Sequence, residues 1–143
     1  MPTRRLSPLK SLLTATLLAA IVLLGLPKPA RAGPTDDACA ALAQARASLV
    51  RMLTVQDPRD VLELRAQVNY HSAVLDSVLG QMSASDPMRV AAFRIPWEAF
   101  KMTRERIIIP TILLGARDDA TILAMGVQAQ RLREMYAIMG CQP

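Results

Sequence analysis

The sequence predicts an all-α domain: an up-down-up-down antiparallel four-helix bundle, residues 33–143, behind a cleaved signal peptide, residues 1–32. Three observations carry this. Four stretches after residue 33 place apolar residues at spacings of three and four, and each opens on a capping residue or ends on a proline or glycine. The only two cysteines, Cys39 and Cys141, stand near the two ends of that region. An even number of antiparallel helices returns the chain to the end where it began, so helix count and cysteine positions support one another. Three helices would hold the cysteines a helix length apart.

The N-terminal segment reads as an export signal. Arg4, Arg5 and Lys10 form a basic start, and Leu12 to Leu26 is an uncharged, mainly apolar run. Pro27 and Pro29 then stop a helix, and Ala30 and Ala32 flank Arg31 as a small-residue cleavage site before Gly33. A spanning helix needs about 20 apolar residues, more than this run offers, so no stable membrane insertion is expected after cleavage. The expected location is periplasmic or secreted. In such a compartment an even pair of cysteines predicts a disulfide between Cys39 and Cys141. Five of the 17 Lys and Arg residues precede Gly33, which leaves twelve against the 12 Asp and Glu. The overall net charge of +5 therefore belongs to the signal segment, and a nucleic-acid partner is excluded as an expectation.

The first helix is expected to start with Thr35 as N-cap and Asp36 and Asp37 in its first turn, with Cys39, Leu42, Ala43, Leu49, Val50 and Leu53 inward. Asp57-Pro58 opens the second, which runs inward through Val61, Leu64, Val68, Leu75, Val78, Leu79 and Met82. Asp86-Pro87 opens the third, which continues to Gly115 with kinks or breaks expected near Arg94-Ile95 and Ile108-Ile109, ahead of Pro96 and Pro110. Within it Trp97, Phe100, Arg104 and Ile108 share one face. The β-branched run from Ile107 to Ile112 has no partner strand and is read as helix. The fourth helix is expected to take Asp118 as cap, to bury Ile122, Met125, Ala129, Leu132, Tyr136 and Met139 as a bundle seam, and to stop at Gly140.

Catalytic and metal chemistry find little support. One histidine, His71, cannot build a multi-histidine metal site, and Ser72 points about 100° around the helix from it. Covalent haem fails because Ile138, not cysteine, stands three residues before Cys141. The methionines beyond the signal are scattered and are read as core filling rather than a copper site. The expected protein is thus no enzyme and carries no cofactor and no metal. Leu53-Thr54-Val55-Gln56 resembles, one residue short, the L-T-x-x-Q signature of periplasmic stress chaperones. That resemblance implies a structural or chaperone-like interaction protein with a protein partner.

A second resemblance rests on Trp97, Phe100, Arg104, Ile108, Pro110, Gly115, Ala120, Ala124, Gly126, Gln128, Arg131 and Met135. The run from Trp97 to Met139 resembles the last two helices of the periplasmic four-helix-bundle sensor domains of methyl-accepting chemotaxis proteins. It implies a free-standing sensor-like domain that binds a small ligand. A guanidinium on a bulk apolar face must pair with a carboxylate, reach solvent, or hold an anion. In the sensor-type reading Arg104 offers its fork to a small carboxylate, Trp97 and Phe100 form apolar walls, and Arg131 supplies a second cation. The oligomeric state is left open.

Overall fold

A computed structural model describes residues 33–142; the signal peptide expected over residues 1–32 lies outside the described residues. Within them the chain is all helical, with no strand, and is organised as four helical segments.

The first segment is α1, Pro34–Thr54. Its N-cap is Gly33, not Thr35, and the Gly33 N–H donates to Asp36 Oδ2 at 3.1 Å. Pro34 explains the shift, because its fixed φ and missing N–H suit the first helical position. Helix α1 buries Leu42 and Leu49 as expected, but also Ala38, Ala41, Ala45 and Met52, while Ala43 and Val50 face outward. The second segment, α2, spans Pro58–Met82, and Asp57 accepts the Arg59 N–H at 2.8 Å. All seven of its expected apolar positions are buried.

The third segment begins with α3, Pro87–Thr103, whose N-cap Asp86 accepts the Arg89 N–H at 3.2 Å. It runs unbroken through Pro96, which is buried. The second proline does change the helix. Pro110 lacks the N–H that would reach back to Arg106, and its ring crowds that carbonyl. The backbone widens into a π-helical turn, Arg104–Ile108, and the Ile109 N–H reaches the Arg104 carbonyl five residues back. A short α4, Ile109–Leu113, completes the segment before Gly115, at φ +84°, turns the chain. The Ile107 to Ile112 run is helical, as expected.

The fourth segment departs most from expectation. It consists of α5, Arg117–Met125, and α6, Val127–Met139, separated at Gly126. Ala116 is the N-cap, and Asp118 sits in the first turn. A Cβ on Gly126 would stand 2.8 Å from the Ile122 carbonyl oxygen, so this join accepts glycine alone without movement of backbone. The step at Gly126 shifts the inward face. Ala120 and Ala124 are buried in α5, whereas Ile122 and Met125 are 70% and 59% exposed. Beyond the step Gln128, Leu132, Met135 and Met139 are buried. The seam from Ile122 is thus correct only for Leu132 and Met139 among its fully buried members. Gly140, at φ +78°, ends α6 and donates to the Tyr136 carbonyl at 2.8 Å.

Helix α1 packs along α2, and α3 packs against α6. Cys39 and Cys141 are joined in a disulfide with their Cα atoms 5.6 Å apart. Met52, Met82, Met135 and Met139 fill core space. Met88, Met102 and Met125 do not.

Candidate functional site

The face of the third segment named from the sequence is assembled in the core: Trp97, Phe100, Arg104 and Ile108 are all buried. Trp97 and Phe100 stack with ring centroids 5.7 Å apart. Arg104 is only 2% exposed, so its head group must find partners inside the protein. Its Nε donates to Glu105 Oε1 at 2.8 Å, one NH2 group to Ser72 Oγ at 2.9 Å, and the other to Asn69 Oδ1 at 3.5 Å. Ser72 in turn donates to the Val68 carbonyl at 2.7 Å. The carboxylate of the pair therefore comes from the next residue in the chain, and helix α2 contributes a hydroxyl and an amide.

Glu105 carries a second cation. Arg65 of α2 donates through Nε at 3.1 Å and NH2 at 3.0 Å to Glu105 Oε2. The π-helical turn matters here, since it carries Arg104 and Glu105 side by side toward α2. Burial pushes the Arg104 guanidinium below its ordinary value, and the hydrogen bond and charge of Glu105 draw it back up. One turn toward the other end, Asp76 of α2 accepts the Trp97 indole N–H at 2.7 Å and Lys101 Nζ at 3.0 Å. Lys101 also pairs with Glu98 at 2.8 Å and lies 5.2 Å from the centre of the Trp97 ring. Helix α2 and the third segment are thus joined by a polar ladder: Arg65, Asn69 and Ser72 meet the π-helical turn, and Asp76 meets α3.

Arg131 works elsewhere. Its NH1 donates to the Ala99 carbonyl at 3.1 Å, Thr103 Oγ1 at 2.7 Å and Gln128 Oε1 at 2.9 Å, while Gln128 Nε2 donates to the Phe100 carbonyl at 2.9 Å. These side chains of α6 thus bind carbonyls in the last turn of α3, just ahead of the π-helical turn. The structure brings Trp97, Phe100 and Arg104 together but directs Arg131 to the α3 backbone and Arg104 to α2. Among the described residues no buried side-chain nitrogen or oxygen lacks a hydrogen-bond partner.

None of the surface hollows described here is lined by Arg104. One, about 400 Å³, is an open depression between α1 and α2 lined by Asp37, Gln44, Tyr70, His71 and Val74 among others. Another is lined by Glu98, Lys101, Met102, Glu105 and Arg106, and so touches the outer edge of the ladder without reaching Arg104. His71 is half-buried on the α1–α2 depression and Ser72 is turned toward Arg104. Among the described residues no group of three or more His, Cys, Asp or Glu could hold a metal ion, and no helix is long and apolar enough to cross a membrane.

A further surface feature lies outside the residues that the sequence singles out. The side of α3 opposite the core presents Met88, Ile95 and Met102 at 80%, 75% and 53% exposure. With Ala92 and Ala99 between them, apolar residues recur at spacings of 4, 3, 4 and 3. That periodicity is present in the sequence, but the stronger apolar face of Trp97 and Phe100 on the same helix masks it. No protein family, curated protein or solved structure matches this chain, so its own residues carry the functional argument.

Proposed function

We propose that this protein is an exported, non-catalytic helical bundle of up-down-up-down order that acts as an interaction module, holding a partner helix against the outer face of α3. The supporting observation is the stripe of Met88, Ile95 and Met102, whose members stand 80%, 75% and 53% exposed in a chain whose other face of the same helix is fully packed. Scattered exposed apolar residues are ordinary, but a row at heptad spacing on one helix is the pattern a second helix reads. The two alanines let the partner backbone approach closely. The bond between Cys39 and Cys141 fits an oxidising compartment.

The sensor-type reading makes a heavier demand. A small carboxylate would have to displace Glu105 from Arg104 and open a path to a group that is 2% exposed. The interaction reading requires no rearrangement of the core.

Photo-crosslinking from residue 95 tests the proposal. With benzoylphenylalanine in place of Ile95, adducts with a protein partner are expected in the exporting cell. The same group in place of Glu134, an exposed position on α6, should give none. Absence of adducts from residue 95 would refute the interaction reading.

A further inference from the structure

The partner helix can be identified more closely, and the identification rests on the interaction reading above. We propose that the occupant of the α3 outer face is α3 of a second copy of this chain, in antiparallel two-fold packing. The stripe is self-complementary: large residues at 88, 95 and 102 alternate with alanines at 92 and 99. A two-fold axis passing between Ile95 and Ala99 sets Ile95 of each copy on Ala99 of the other, and Met102 on Ala92. Every large side chain in those layers then meets a small one, which lets the helices close to about 8 Å.

The charges agree with the same register. Arg94 and Glu98 flank the stripe on one side, both exposed, and Arg94 makes no ion pair among the described residues. Under that axis, Arg94 of each copy falls within about 3 Å, measured along the helix, of Glu98 of the other. Parallel packing would instead set Arg94 level with Arg94 and Glu98 level with Glu98. A single helix pair buries less area than a standard interface, so the dimer should dissociate on dilution.

Sedimentation of the purified protein across a concentration series is expected to show the mass rising from one protomer to two. Ile95→Lys should stay at one protomer at every concentration with unchanged helicity. Leu114→Lys, which removes an 85% exposed residue away from the stripe, should dimerise like the parent. Register is read by a short thiol crosslinker. A mixture of Ala92→Cys and Met102→Cys chains should crosslink, whereas Met102→Cys alone should not, since the two copies of residue 102 stand about 15 Å apart along the axis. A parent protein that remains a monomer, an Ile95→Lys dimer, or crosslinking of Met102→Cys with itself would each overturn the second-copy assignment. Adducts from residue 95 to a different protein would overturn it too, while leaving the interaction reading standing.

Discussion

Replacing Glu105 by glutamine removes one negative charge and nearly nothing else. In the native protein Glu105 stands 2.8 Å from a guanidinium that is 2% exposed, and it also holds Arg65 at 3.0 Å. Glutamine keeps the shape and an acceptor oxygen, but leaves the Arg104 charge buried without a counter-charge. Weakening a charge-assisted bond to a buried group costs about 1.5–3 kcal/mol. The half-exposed Arg65 pair adds at most about 0.5 kcal/mol. The expected loss is therefore about 1.5–3.5 kcal/mol, a substantial part of the ~5–15 kcal/mol that holds a domain of this size together. Arg104→Met removes the charge itself. Ser72 keeps the Val68 carbonyl as its acceptor and Glu105 keeps Arg65, so this loss should stay below about 1.5 kcal/mol. In the double variant the glutamine should cost little more, because the charge it strands is gone. Urea unfolding followed by circular dichroism, with the disulfide intact and m-values unchanged, measures all four corners of this cycle. Arg104→Met costing more than Glu105→Gln, or additive losses in the double variant, would refute the reasoning. Arg104 itself adds no slope to stability near neutral pH. Its folded value is lowered, so stability would rise only as pH passed through the alkaline range in which a guanidinium titrates.

Replacing Cys39 and Cys141 by serine opens a loop of 102 residues and should cost about 4–5 kcal/mol in the chain-entropy account, read as a fall in the urea midpoint. Gly126→Ala places a methyl group 2.8 Å from the Ile122 carbonyl and should cost about 2 kcal/mol in the same assay, whereas Gly80→Ala, where nothing lies within 4 Å, should be neutral or stabilising. Intact mass of the exported protein should correspond to a chain beginning at Gly33; recovery of Met1 in a membrane-bound form would reject cleavage. Calorimetry against small organic acids should give no heat of binding that Arg104→Met abolishes; such heat would favour the sensor-type reading over the interaction module.

Legibility of the sequence divides along physical lines. Helix α2 is fully legible, because Asp57-Pro58 marks its start and seven inward residues at spacings of three and four leave a single buried face. The disulfide, present between Cys39 and Cys141, is legible in the even cysteine count and in the placement of the pair near the two ends of the helical region. The seam of the fourth segment is misleading in sequence because Ile122 and Met125 are larger than Ala120 and Ala124, yet it is the two alanines that are buried. Tight packing at α5 selects small residues, and the step at Gly126 changes the helical phase, which a continuous 3-4 count cannot register. Proline gives a mixed signal: Pro96 leaves α3 unbroken, while Pro110 is absorbed by a π-helical turn. Arg104 is legible as an anomaly on an apolar face. Its partners are not, since Glu105 adjoins it in sequence and reaches it only because the widened turn brings both toward Ser72 and Asn69.

The polar ladder and the exposed stripe are coupled through the orientation of one helix. Apolar packing alone holds a helix in its groove but resists rotation about its own axis weakly, because many rotamers fill similar volumes. Directional bonds remove that freedom. On α3, Trp97 Nε1 is fixed to Asp76 at 2.7 Å on one flank of the buried face, and Arg131 and Gln128 hold the Ala99 and Phe100 carbonyls at 3.1 and 2.9 Å on the other. Lys101 and Arg104 add bonds to α2 over the following turn. With both flanks held, the opposite side of the helix can point only outward, so Met88, Ile95 and Met102 are presented as a row in fixed register. A binding face on a rigid element loses little conformational freedom when it meets its partner. In the interaction reading proposed above, the buried arginine, which by residue type suggests a ligand anchor, steadies the segment whose far side carries the exposed stripe.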